Sequence, residues 1–175
     1  MAVVLLNGAP RSGKSSLATA LQGRLPGVWL CFGVDAFMAM TPQHRLPGIG
    51  LRPGSSDEDA IRFRQACYGA WASAVLALCA EGFNVVADVG IYEPELWEEI
   101  LVCLQEADVL SVGLKCLVEE IVRRREATGW APPHEEGALR WHDAIHQGKS
   151  YDLEIDTSAL TPDQAAEIIY RRLGG

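Results

Sequence analysis

Residues 3–16 read Val-Val-Leu-Leu-Asn-Gly-Ala-Pro-Arg-Ser-Gly-Lys-Ser-Ser. An apolar run leads into Gly8-x-x-x-x-Gly13-Lys14-Ser15, the spacing of a phosphate-binding loop. Glycines permit the tight turn that aims successive backbone N–H groups at phosphate oxygens. A lysine at the loop's end reaches the β- and γ-phosphates, and the next hydroxyl takes a place on Mg²⁺. The spacing assigns Gly8, Ala9, Pro10, Arg11, Ser12, Gly13, Lys14, Ser15 and Ser16 to a nucleoside triphosphate, with Ser15 also on the metal. The flanks agree with this reading. Residues 3–6 have a buried-strand pattern, and 16–25 put Leu17, Ala20, Leu21 and Leu25 on one helical face. The helix N-terminus adds partial positive charge behind the phosphates.

The chain has 175 residues, 49% of them apolar, enough for one core and too few for two comfortable domains. No apolar stretch approaches the length of a membrane span. No charged leader or cleavable apolar segment precedes the first strand pattern, so a cytoplasmic location is expected. Cys31, Cys67, Cys79, Cys103 and Cys116 are scattered through apolar segments without a CxxC pair, which predicts buried, reduced thiols. A formal net charge of −8 argues against nucleic acid as a partner. Positive charge for a nucleotide must then be local. Arg11 and Lys14 in the loop supply it, with Arg123, Arg124 and Arg125 far downstream.

Strand patterns at 3–6, 28–32, 83–87 and 109–116, and around Leu153 and Ile155, alternate with helical patterns at 16–25, 57–81, 94–106, 118–127 and 162–173. This predicts a three-layer α/β fold: a five-stranded parallel sheet with helices on both faces, in one domain spanning 1–175. Right-handed crossovers align the strand C-terminal ends on one edge, where ligands bind. The P-loop, Asp35, Asp88 and Asp156 each fall just after a strand pattern and can converge there. Two Pro- and Gly-rich stretches interrupt the periodicity. Residues 41–56 are expected to form an acceptor-binding loop and 123–140 a lid.

Phosphoryl transfer needs a phosphate cradle, a metal, a group for the acceptor's proton, and cations for transition-state charge. Asp35, after Phe32-Gly33-Val34, can deprotonate or position a substrate hydroxyl; it can also cap a helix at 36–40. Asp88 closes the run Val85-Val86-Ala87 as a metal-binding carboxylate would, although many buried strands end in Asp. At most two of Arg123, Arg124 and Arg125 can face one phosphate, and complementing the helix C-terminus is their other reading. Arg140 is a weaker candidate, and Lys149 reads as a solvated charge. His142 and His146 stand four apart but lack a third ligand, so a metal site there is not expected. Phe37, Met38, Met40, Tyr68 and Trp71 either line an apolar acceptor pocket or pack in the core.

The combination resembles the chloramphenicol phosphotransferases, small P-loop kinases that modify an antibiotic hydroxyl. The likeness spans nearly the whole chain. It rests on Leu6-Asn7-Gly8 with Gly13-Lys14-Ser15, on Phe32-Gly33-Val34-Asp35, on Gly69-Ala70-Trp71-Ala72, and on the strand ending at Asp88. Val112-Gly113 with Cys116, Arg125-Glu126, His146 with Gly148, and Tyr151-Asp152-x-Glu154-x-Asp156-Thr157 complete it. The resemblance implies a P-loop kinase fold, ATP as phosphoryl donor and Mg²⁺ as metal. It implies Asp35 as base, Lys14 and Ser15 in the nucleotide site, and Arg125 as a catalytic lid arginine. The chain departs from the family at Ala9-Pro10-Arg11-Ser12, where smaller residues are expected. A second lid arginine is also absent near Trp130 and Ala131, which leaves Arg124 or Arg140 as substitutes on the nucleotide.

The expected function is therefore ATP-dependent phosphorylation of a small-molecule hydroxyl, chloramphenicol or a similar compound. A kinase of another metabolite on the same scaffold is the alternative. A nucleotide-binding regulatory module with little turnover is the alternative from another class. Homo-oligomerisation is left open by the sequence.

Overall fold

β1 (Ala2–Gly8) occupies the centre of the sheet. Its Val3 and Leu5 pack into one core and its Val4 and Leu6 into the other, all fully buried. A strand covered on both faces reads as a continuous apolar run, which is how this one reads. The computed structural model describes residues 1–42, 44, 58–128, 142 and 144–175, apart from the side chain of Phe37. Most of the 41–56 loop and residues 129–140 of the expected lid, with Arg140, therefore lie outside the described residues.

β2 (Trp29–Cys31), β3 (Asn84–Val89), β4 (Asp108–Lys115) and β5 (Leu153–Asp156) complete a five-stranded sheet in the order β2-β3-β1-β4-β5. Every pairing is parallel. α3 (Glu58–Ala80) and α4 (Pro94–Cys103) cover one face, joined by Val34 and Met38 of the short α2 (Val34–Met38). α1 (Lys14–Arg24) and α6 (Pro162–Arg172) cover the other. α5 (Val118–Ala127) rests on a smaller cluster of Ala9, Cys116, Ile121 and Ile145. This is the expected three-layer α/β architecture.

The boundaries differ in places that matter. β3 runs on through Asp88 to Val89, because Leu6 pairs with Asp88 and Asn7 with Val89. Asp156 likewise belongs to β5, paired with Lys115. Both carboxylates thus stand in the last residues of strands, not after them. α4 ends at Cys103, short of 106, where Ala107 N–H closes a turn onto the Leu104 carbonyl at 2.9 Å. α6 starts where its sequence says it should. Thr161 accepts from the Gln164 N–H, Gln164 Oε1 accepts from the Thr161 N–H, and Pro162 opens the first turn.

The cysteines are free, as expected, but not uniformly buried. Cys67 and Cys116 are; Cys79 is half-buried; Cys31 and Cys103 are exposed. Cys31 ends the edge strand and Cys103 ends α4.

Gly113 lies mid-strand in β4, with the Tyr151 ring against it. A Cβ there would sit 2.5 Å from Tyr151 Cδ2. Gly113→Ala is expected to lower stability by about 1–3 kcal/mol through this overpacking. Pairing it with Tyr151→Leu should return part of the loss, a non-additivity measurable by urea unfolding.

Candidate active site

The P-loop links β1 to α1 at the C-terminal edge of the sheet. Among the described residues, Arg11 is the one non-glycine with positive φ, at 68°, and Gly13 follows at 95°. The Ser12 N–H closes the turn onto the Ala9 carbonyl at 3.1 Å. Gly8 is required by space, since a Cβ would lie 2.7 Å from Ser12 Oγ and 3.0 Å from the Leu114 carbonyl oxygen. α1 begins with Gly13 as its N-cap, which supplies no side-chain cap to the amides of its first turn. Lys14 Nζ donates to the carbonyls of Gly8 (3.0 Å) and Ala9 (3.1 Å). It also stands 3.9 Å from Asp88 Oδ1.

Asp88 reaches the loop from β3. Its Oδ2 accepts from Ser15 Oγ at 2.8 Å. Burial pushes the Asp88 carboxyl above the usual range; Lys14 and the Ser15 hydroxyl pull the other way, and the nearby Asp35 charge adds to the rise. Asp35 lies in the first turn of α2, exposed, and faces the same cavity. The helix already includes Val34, so Asp35 is within it and not a cap ahead of a 36–40 helix. Gly33 sets the closeness of the two acids. A Cβ at Gly33 would lie 2.7 Å from the Asp88 carbonyl oxygen, so only glycine lets this turn press against β3.

Ser15 and Asp88 suit a Mg²⁺ ion. That ion typically takes one or two protein oxygens and fills its octahedron with water and phosphate. No cluster of three or more His, Cys, Asp or Glu side chains able to hold a metal occurs among the described residues.

A cavity of about 970 Å³ spans the edge. One end is walled by Val34, Asp35, Tyr68, Val89 and Gly90. The P-loop and Asp88 form the middle. Glu120, Arg123 and Arg124 of α5, with Thr157–Thr161 after β5, wall the far end. Of the apolar candidates, Tyr68 lines the cavity, Met38 and Trp71 are core residues, and Met40 is exposed.

The three arginines separate by helical phase. Arg123 and Arg124 face the cavity. Arg123 is held by Glu120 through two contacts of 2.7 Å. Arg124 donates to Glu120 (2.7 Å), to the Arg11 carbonyl (3.3 Å) and to the Thr157 carbonyl (2.6 Å). Glu120 is held down to about 2 by these two guanidinium groups. Arg125 is 4% exposed and is not on the cavity wall, and burial and the Arg11 charge lower its pKa. Arg124 bonds the phosphate-loop backbone at the Arg11 carbonyl, and Arg125 feels the loop through the Arg11 charge.

Sequence reasoning gave Asn7 no role of its own. Fully buried, its Nδ2 shares two protons among three acceptors, the Ile91 carbonyl (3.2 Å), the Ile145 carbonyl (3.3 Å) and the Tyr151 hydroxyl (2.9 Å), while Oδ1 accepts from the Ile91 N–H at 2.8 Å. A polar residue inside an otherwise apolar strand was the available signal. His146 joins this network. Its Nε2 faces the Leu114 carbonyl at 3.2 Å and must be the protonated nitrogen; Nδ1 then accepts from Tyr151 at 2.9 Å. Burial lowers His146 to about 4 and raises Tyr151 to about 12, so both are neutral. His142 Nε2 is bonded at the Cys116 carbonyl (2.8 Å), a different partner from those of His146. Lys149 is not merely solvated: its ammonium donates to the Tyr92 carbonyl at 2.7 Å. Arg62 pairs with Glu58 and Asp59, and Arg64 with Glu93 and the Tyr92 hydroxyl.

A phosphate loop, a metal-suited carboxylate and a second acid on one parallel sheet define a nucleotide-binding α/β protein of the P-loop kinase class. The chain belongs to the chloramphenicol phosphotransferase-like protein family, whose model matches residues 1–174. A Mycobacterium tuberculosis protein, named as a proposed O-phosphotransferase, is 28% identical over 183 residues, covering 96% of this chain and 80% of its own. Among solved structures, the Deinococcus radiodurans tunicamycin resistance protein superposes with a TM-score of 0.70 at 18% identity, covering 98% of this chain and 95% of that one. A Janibacter sugar kinase gives 0.68 at 17% identity over 99% and 94%. Acinetobacter baumannii shikimate kinase gives 0.67 at 15% over 98% and 92%. These three establish a shared fold. Among the described residues no helix is long and apolar enough to cross a membrane.

Three outcomes are expected. Asp88→Asn should raise the Tm of the nucleotide-free protein by about 2–4 °C, because the charged carboxylate is held against a desolvation cost. The same substitution should weaken Mg²⁺-dependent nucleotide binding; calorimetry reads both. His146 governs a pH window. Its folded pKa, about 4, lies below the usual value of 6.5, so the folded state binds fewer protons between them. The stability it contributes is present above pH ~6.5 and is lost as pH falls toward 4. Urea titrations of wild type and His146→Asn across that range should converge toward the acid end.

Proposed function

We propose that this protein transfers the γ-phosphate of ATP to a hydroxyl of a small molecule, with Asp35 as general base. The observation that carries the reading is the placement of Asp35 and Asp88 with Lys14 and Ser15 in one cavity. In the proposed reaction the acceptor hydroxyl oxygen forms a bond to the γ-phosphorus. The bond from that phosphorus to the bridging oxygen breaks, and the hydroxyl proton passes to Asp35. Lys14 moves from the Gly8 and Ala9 carbonyls onto the phosphates. Gly8 to Ser16 and Arg124 hold the nucleotide, while Ser15 and Asp88 hold Mg²⁺, which supplies charge neutralisation on the phosphate oxygens. Arg125 acts from beneath this surface, since it is buried.

Chloramphenicol or a similar antibiotic alcohol is the proposed acceptor. The description of the matching family and the likeness of the Phe32-Gly33-Val34-Asp35 segment support it. In this reading residues 1–175 form a single domain, with 41–56 contributing to acceptor choice and 123–140 closing over the site in a cytoplasmic enzyme. The name of the mycobacterial relative supports an O-phosphotransferase, and a different hydroxyl metabolite on the same machinery is the second reading.

The test is γ-labelled ATP with a panel of hydroxyl compounds including chloramphenicol. Asp35→Asn should lower kcat by about 10²–10⁴-fold while the ATP affinity stays within about twofold. Lys14→Ala should abolish transfer. Unchanged turnover in Asp35→Asn removes it as base. ATP binding with no transfer to any compound would favour a nucleotide-binding regulatory module.

A further inference from the structure

We propose that Thr157 is a positioning residue for the phosphate loop, fixing the direction of the Gly13 N–H by holding the carbonyl that precedes it. The proposal rests on the nucleotide-binding reading above and adds a residue from the far end of the chain.

Thr157 directly follows β5 and is 7% exposed. Its hydroxyl donates to the Ser12 carbonyl at 2.6 Å, across 145 residues of sequence. The Lys115 carbonyl oxygen lies 3.1 Å from the same hydroxyl, and accepts from the Thr157 N–H at 2.9 Å. Thr157 is thereby tied to the ends of both β4 and β5. A hydroxyl has one proton, and the shorter contact is with the loop. Arg124 doubles the clamp. One guanidinium nitrogen donates to the Thr157 carbonyl at 2.6 Å, and the other to the Arg11 carbonyl at 3.3 Å. Two consecutive loop carbonyls, of Arg11 and Ser12, are therefore turned toward the β5 side.

Among the described residues no peptide is cis. In a trans peptide the C=O and the next N–H point in opposite directions. Holding the Ser12 carbonyl on Thr157 thus turns the Gly13 N–H the other way, toward the bowl shared with Lys14 and Ser15. The flanking backbone needs such support. Arg11 has φ 68°, a conformation unfavourable for a non-glycine residue that persists only where neighbours enforce it. Gly13 also leaves the clamp room, since a Cβ would stand 3.3 Å from the Arg124 nitrogen and 3.9 Å from Thr157 Cβ.

The test uses the whole chain with Mg²⁺ and a non-hydrolysable ATP analogue, by titration calorimetry, alongside thermal unfolding without nucleotide. T157V keeps the shape and removes the hydroxyl; its affinity should fall about tenfold, the size of one buried hydrogen bond. T157S restores the hydroxyl and should bind within about threefold of wild type. The acceptor KM at saturating ATP should not move. Wild-type affinity in T157V, or a loss that T157S does not repair, overturns the proposal. If T157V does not fold, T157A carries the same comparison. Failure of both to fold would assign the hydroxyl to the fold alone and overturn it too. The affinity measurement needs no acceptor, so a wild type that binds the analogue but transfers no phosphate from ATP to any hydroxyl compound refutes the kinase reading and leaves this one standing.

Discussion

The Asn7 side-chain amide meets four polar partners at the C-terminal end of the central strand, and they lie in two other parts of the chain, beginning 84 and 138 residues away. A buried amide left without partners costs about 1–3 kcal/mol per group, so these segments are held where the amide finds them. Ile91 lies just beyond Asp88 and Gly90; Ile145 leads to Tyr151 and so to β5. Fixing both against β1 sets the walls around the P-loop before any ligand enters. His146 extends the constraint. Being neutral, it accepts from Tyr151 through one nitrogen and donates to Leu114 through the other, so proton directions along the chain Asn7–Tyr151–His146–Leu114 agree.

The site is costly to build without its ligand. Asp88 is a carboxylate taken out of water and placed near a second acid, with Lys14 compensating only in part. The chain's net charge of −8 gives no general relief. What makes the edge hospitable to a polyanion is local: an α1 N-terminus with no side-chain cap, Lys14, and the two arginines on α5. Glu120 shows how tightly this charge is balanced, since one carboxylate holds both α5 guanidinium groups that line the cavity.

Sequence pattern carried the architecture because each strand of the sheet's centre is buried on both faces and each helix on one. It carried the P-loop because that motif is local: its glycines, lysine and serine act within eight consecutive residues. Helical phase within 123–125 was harder. Resemblance pointed to Arg125, yet Ile121 and Arg125 stand four apart and share the buried side, which turns Arg123 and Arg124 to the cavity. The apolar Ile121 in a charged helix was a readable sign of that phase. Asn7 offered only the sign of a polar residue in an apolar strand, and Thr157 offered none. Their meaning lies wholly in partners brought together by the crossovers, and a lone Asn in a strand or Thr after one has many uses. Lys149 was misread for the same reason, its partner being the distant Tyr92 carbonyl.

The strand order divides labour across the cavity. Asp35 follows β2 and Asp88 ends β3, neighbours on one side of β1; Thr157 and Arg124 follow β5 and β4 on the other. The P-loop hangs from β1 between them and is gripped from both sides, by Asp88 at Ser15 and by Thr157 at Ser12. In the proposed reaction the acceptor and its base therefore belong to the β2–β3 side, and the donor's phosphate cradle is braced from the β4–β5 side. The only covalent continuity between the two gripped points is Ser12-Gly13-Lys14-Ser15. A displacement of Ser12 must then be felt at Lys14, while a change of side chains around Tyr68 or Gly90 leaves the brace untouched. That separation lets acceptor preference vary on this scaffold while the phosphate loop stays as it is.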